Sequence, residues 1–132
     1  IKNIQEIYTL FDVTPSVYWT DHYTFHKTSR TKRRKKPGKA AINIIIINTI
    51  IPFLFIYGER KNKTEYKEKA LDFLHQLPAE QNSIIRKWKN LNIHPENAYQ
   101  SQALIQLKNV YCSQKRCLHC QIGNKIINMS IS

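Results

Sequence analysis

Glycine is scarce in this sequence: Gly38, Gly58 and Gly123 are the only three among 132 residues. They stand singly, so no glycine-rich loop cradles a phosphate, and the common nucleotide-binding motifs are excluded. Acidic residues are few as well, nine against 21 lysines and arginines. That balance leaves no carboxylate dyad for general acid–base work, and no nucleophile stands at a telling spacing from a base. Cysteine is limited to Cys112, Cys117 and Cys120, crowded into nine positions, which is not the pattern of a disulfide framework. A reducing, cytoplasmic setting is the expectation. The sequence begins at Ile1 within a helical pattern and without an initiator Met. It is therefore read as a fragment of a longer protein, forming a single helical domain over residues 1–132.

What is present is positive charge, and it is concentrated. The formal net charge is +12, and the stretch "KTSRTKRRKKPGK" at 27–39 holds eight Lys or Arg and no acid. The rest of the chain carries thirteen basic against nine acidic residues, close to balance. A loop of this kind is a candidate contact for nucleic-acid phosphates through Lys32, Arg33, Arg34, Lys35 and Lys36. A solvated linker is the alternative. No aromatic residue interrupts the run, so the run by itself offers no surface for base stacking.

Apolar periodicity predicts a mainly α fold. Ile4, Ile7 and Leu10 mark a helix that Pro15 breaks. The aromatic-rich segment "VYWTDHYTFH" at 17–26 reads as a short strand or an irregular packed segment. The most apolar stretch, "AAINIIIINTIIPFLFIY" at 40–57, is at the lower edge of a membrane-spanning length, and it contains Asn43, Asn48, Thr49 and Pro52. A buried central helix is the preferred reading, with Pro52 kinking it or starting a second helix; a strand and a membrane span are the alternatives. Asn62 and Glu65 stand at capping-box spacing before the face Ala70, Phe73, Leu74, Leu77. Pro78 suits a first helical turn containing Glu80, ahead of Ile84, Ile85, Trp88 and Leu91. Asn97, with Gln100 three residues on, caps a helix whose stripe is Ala103, Leu104, Leu107, Val110 and Tyr111. The expected architecture is a bundle of five or six helices around the 40–57 helix, with an irregular aromatic N-terminal segment and a C-terminal Cys loop.

The loop "YCSQKRCLHCQIG" poses the sharpest chemical question. Its Cys-x4-Cys-x2-Cys spacing suits a zinc site completed by a histidine or, with a fourth thiolate, an iron–sulfur cluster. No fourth cysteine exists, so His22 is the first choice as the remaining ligand, ahead of His26, His94 and His119. The alternative is that the three cysteines are small half-buried hydrophobes. Glu80 and Asn82 in "PAEQN" are the catalytic candidates, with cap or dipole roles as the alternative.

Five motifs, "VYWTDHYTF", "IINTIIPFLFIYG", "LPAEQNSIIRKW", "SQALIQLKNVYC" and "RCLHCQIG", occur in this order near the C-terminus of a bacterial family, common in Bacteroidetes, of domain-of-unknown-function type (family 2851). The chain resembles that family over nearly its whole length. The resemblance implies a cytoplasmic protein with an enzyme-like upstream region, and it implies no activity for these residues. The expected role is a non-catalytic helical accessory domain, stabilised by zinc or an iron–sulfur cluster, that assists the upstream domain on nucleic acid, with no membrane partner. The alternatives are an enzyme site shared with the upstream region, using Glu80, Asn82 and His22, and a protein-interaction module.

Overall fold

The computed structural model describes residues 2–33 and 35–129. Six helices run through them, and the paired strands among the described residues are limited to a short ribbon, so the fold is mainly α, as the periodicity predicts. The chain divides into two compact units, Ile1–Lys67 and Glu68–Ser132.

The first unit begins with α1 (Ile4–Leu10). Asn3 caps it, its Oδ1 accepting the Glu6 backbone N–H at 3.0 Å, and the Glu6 carboxylate accepts the Lys2 N–H at 2.8 Å. A 3-10 turn (Val17–Thr20) leads to strands β1 (His22–Thr24) and β2 (Lys27–Thr28), paired antiparallel with His22 opposite Thr28 and Thr24 opposite Lys27. Helix α2 then runs unbroken over Lys39–Arg60. Pro52 neither ends it nor starts a new one. The ring of a proline clashes with the carbonyl four residues back, and the preceding turn, Ile46–Ile50, is widened to π geometry. Asn48 is exposed and donates from Nδ2 back to the Ile44 carbonyl at 2.9 Å, a local side-chain-to-backbone bond.

Helix α2 buries one stripe: Ile42, Ile46, Ile47, Ile51 and Gly58. Ile7 on α1 is fully buried, and the Tyr8 hydroxyl donates to Asn43 Oδ1 at 2.5 Å, tying α1 to α2. Ile44, Phe53 and Ile56 remain 57%, 67% and 54% exposed. Among the described residues this is the one helix long and apolar enough to cross a membrane. Its end is a left-handed turn at Asn62 (φ 53°), followed by α3 (Thr64–Gln76). Asn62 therefore closes α2 and does not cap α3, a job for which asparagine's tolerance of positive φ suits it. Gly58 lets the two helices approach: a Cβ there would sit 2.9 Å from the Lys63 carbonyl oxygen.

In the second unit α3 buries Ala70 and Phe73, and Leu77 just past its end is buried too; Leu74, the fourth residue of the expected face, is half-buried. The Pro78–Gln81 stretch is not helical. Pro78 forms an isolated antiparallel bridge with Asn97, and the Ala98 N–H donates to the Leu77 carbonyl at 2.9 Å. Helix α4 (Ser83–Asn90) starts later than the proline suggested, because Asn82 is the cap: its Oδ1 accepts the N–H groups of Ile84 and Ile85, both at 3.0 Å. Helix α5 (Ala98–Gln106) is capped by Asn97, whose Oδ1 accepts the Gln100 N–H at 3.0 Å, as expected. It continues through a π turn (Leu107–Cys112), and the Trp88 indole N–H donates to the Leu104 carbonyl at 3.2 Å just before that turn. The expected stripe on this helix is only half-buried, with Ala103 exposed; the buried residues are Ala98 and Ser101. A 3-10 turn (Cys117–His119) precedes α6 (Gln121–Met129).

Candidate nucleic-acid interface

The basic loop is folded onto the aromatic ribbon. The Ser29 N–H donates to the Asp21 carbonyl, the Arg33 N–H to the Thr20 carbonyl at 2.8 Å, and the Lys35 ammonium to the His22 carbonyl. Lys35 Nζ also stands 3.5 Å from the centre of the Tyr23 ring. Lys36 pairs with Asp12. Two of the five expected phosphate contacts are thus engaged within the protein, and a third, Arg34, lies outside the described residues. Lys32 and Arg33 are exposed, and so are Lys27 and Arg30. Backbone bonds at Ser29 and Arg33 fix the segment between them, so the side chains of Arg30 and Lys32 project from an anchored stretch.

The loop that carries these cations is bonded to the 20–22 backbone, in the segment that supplies the aromatic rings the run itself lacks. Phe25 is 71% exposed and Tyr23 62%. Phe25 sits in the two-residue turn between β1 and β2, its ring edge-on to Trp19 with centroids 5.1 Å apart. His26, the other turn residue, has φ 62°, and its N–H donates to the Tyr18 hydroxyl at 3.1 Å. Tyr18 in turn stacks on His22 with centroids 4.0 Å apart. The absence of aromatics inside the run hides Tyr23 and Phe25, which lie just before it. The signal was present in the neighbouring aromatic segment, but only the fold of the loop makes the two adjacent.

His22 Nδ1 faces two acceptors, the Asp21 carboxylate at 2.7 Å and the Tyr18 carbonyl at 2.9 Å, so this nitrogen carries a hydrogen. The residue belongs to the first unit and the cysteines to the second. Cys112 and Cys117 are exposed and Cys120 is buried. Among the described residues no group of three or more His, Cys, Asp or Glu side chains is placed to hold a metal ion. What closes the loop is backbone: Arg116 N–H to the Tyr111 carbonyl at 2.9 Å, His119 N–H to the Arg116 carbonyl at 3.1 Å and Cys120 N–H to the Cys117 carbonyl at 3.2 Å. Lys115 takes a left-handed turn (φ 52°), and Gly123 passes so near the Cys117 carbonyl that a Cβ would stand 2.6 Å from its oxygen.

Glu80 and Asn82 both have structural partners. Gln102 donates from Nε2 to the Glu80 carboxylate, and the Glu80 N–H donates to Ser101 Oγ at 3.2 Å. Ser101, fully buried, passes its own hydroxyl hydrogen to the Ala98 carbonyl at 3.1 Å. Glu80 is not in a helical first turn, because α4 begins at Ser83. A nearby depression of about 230 Å³ is lined by Ser83, Ile84, Lys87, Trp88, Leu91 and Lys108, and neither Glu80 nor Asn82 borders it.

A family model described as "Protein of unknown function (DUF2851)" matches residues 1–83. The ribbon, the basic loop, α2 and α3 lie inside that range; the Cys loop and α6 lie beyond it. No curated protein and no solved structure matches the chain.

Proposed function

Because the chain belongs to the family of proteins of unknown function described as DUF2851, and that membership brings no activity with it, we propose from the geometry that it is a non-catalytic helical accessory domain contacting nucleic-acid phosphates. The observation that carries this reading is the anchored, acid-free stretch presenting Lys27, Arg30, Lys32 and Arg33 to solvent. Phosphate contacts of this kind position a nucleic acid without reading its sequence. Four such contacts give a log–log salt slope of about −3 to −4 on duplex DNA, which is a loss of about 100-fold between roughly 50 and 200 mM salt. Fluorescence anisotropy with a labelled oligonucleotide tests it; absence of binding at about 50 mM salt overturns it. The Cys loop is read as a packed backbone turn, and a zinc or iron–sulfur role for Cys112, Cys117 and Cys120 finds no support in the geometry. Glu80 and Asn82, both tied up in local structure, support no catalytic role.

A second reading is favoured by the exposed Ile44, Phe53 and Ile56 on α2: docking on a protein surface, for which the upstream region of a longer protein is the natural partner. A bilayer fits worse. Asn48 and Thr49 are exposed at mid-helix, and α3 folds back beside the end of α2, with Tyr66 against Tyr57 at 5.1 Å and Lys67 Nζ 5.6 Å from the Phe55 ring while paired with Glu59 at 2.6 Å. In flotation with phosphatidylcholine vesicles the chain is expected to stay in the aqueous fraction; co-flotation would contradict the protein-docking reading.

A further inference from the structure

We propose that the ribbon and basic loop together form a platform for single-stranded nucleic acid, with Phe25 and Tyr23 stacking on bases while Lys27, Arg30, Lys32 and Arg33 hold the backbone. The inference rests on the phosphate-contact reading above and narrows it to one class of ligand.

Single-strand binding without sequence preference needs two things: a positively charged track and aromatic faces beside it. The loop supplies the first and the ribbon the second, and the two are joined by three bonds from Ser29, Arg33 and Lys35 to the 20–22 backbone. A duplex keeps its bases stacked inside and has no use for an exposed phenyl ring, whereas a single strand does. Phe25 is also held rigidly. Its turn is closed by His26 in the left-handed region, braced by the Tyr18 hydroxyl, and its ring leans on Trp19. Phe25 is 71% exposed at the tip of this braced turn, which leaves its ring accessible to a base. Lys35 Nζ lies over one face of the Tyr23 ring, 3.5 Å from its centre, so a base would stack on the opposite face of this 62% exposed side chain.

The test compares a fluorescein-labelled oligo-dT of about ten nucleotides with a blunt duplex of the same length, using anisotropy at low salt. The wild-type chain is expected to bind the single strand about tenfold or more tightly than the duplex. Phe25→Leu keeps an apolar side chain against Trp19 but removes the π face, and it is expected to weaken single-strand binding by about 5- to 100-fold with duplex binding unchanged. Tyr23→Leu is the second variant, read in the same way, and circular dichroism confirms that each retains the wild-type helical signal. Phe25→Trp keeps single-strand affinity, and its added indole fluorescence is quenched on binding oligo-dT. Equal affinity for strand and duplex, with Phe25→Leu and Tyr23→Leu both at wild-type affinity, overturns the stacking platform while leaving the phosphate reading intact. Equal weakening of strand and duplex by the Leu variants also overturns it, since that is loss of ribbon structure. Failure of both probes to bind at about 50 mM salt overturns the phosphate reading and this inference with it.

Discussion

Gly123→Ala isolates what holds the Cys loop. In the interior of an exposed helix this substitution stabilises by about 1 kcal/mol, because alanine has the higher helical propensity. Here the added Cβ stands 2.6 Å from the Cys117 carbonyl oxygen and 3.2 Å from both its carbonyl carbon and Cα. Every blocking atom is backbone, and the same carbonyl accepts the Cys120 N–H at 3.2 Å, so no side chain can swing aside to relieve the overlap. Overpacking of this kind costs about 1–3 kcal/mol, and the absence of a flexible neighbour puts this case toward the upper end. The net expectation is roughly 1–2 kcal/mol of destabilisation, opposite in sign to the propensity effect. Thiol reactivity gives a local readout. The wild-type chain should show two fast thiols, Cys112 and Cys117, and one slow, Cys120. In Gly123→Ala, Cys120 joins the fast class as the 3-10 turn is pushed off α6. Gly38→Ala, with nothing within 4 Å of its added Cβ, leaves all three rates unchanged. A Gly123→Ala protein with an unshifted thermal midpoint and a still-slow Cys120 would refute the reasoning.

Burial pushes the Tyr8 phenol above its ordinary value of 10.0. The unfolded chain therefore ionises first, so this contribution to stability is full below about pH 10 and is lost as the pH rises further; urea midpoints should fall less steeply there for Tyr8→Phe than for wild type. Ser101→Ala leaves the part-buried Glu80 N–H without its acceptor and should cost about 1 kcal/mol in denaturant unfolding. Chelator should leave the thermal midpoint unchanged, because the Cys loop is closed by backbone bonds; a drop of several degrees with equimolar release of zinc or iron contradicts that account.

Local rules were legible from the residues alone. Asn97 with Gln100, and the face Ala70, Phe73, Leu74, Leu77, depend only on helical spacing and cap chemistry; the cap is where the sequence places it, and of the face Leu74 alone is half-buried. Pro78 and Asn62 misled because each suits two kinds of local structure. A proline fits a first helical turn as well as an extended bridge, and an asparagine fits a left-handed helix end as well as a cap. Composition marked 40–57 as apolar, but it carries no information on which stripe is covered, and only one is. The docking of the basic loop on the aromatic segment was not legible, since it depends on bonds from Ser29, Arg33 and the Lys35 side chain to residues eight to thirteen positions back. Convergence of the cysteines was suggested by spacing alone, and spacing does not fix side-chain direction.

The central claim is that the exposed cations of the loop neutralise phosphates, and the salt dependence of binding by Lys32→Ala/Arg33→Ala measures this most directly. Removing two of four contacts should lower the magnitude of the log–log salt slope on duplex DNA by about two units. A slope equal to that of wild type, or a wild-type chain that binds no nucleic acid at about 50 mM salt, contradicts the account.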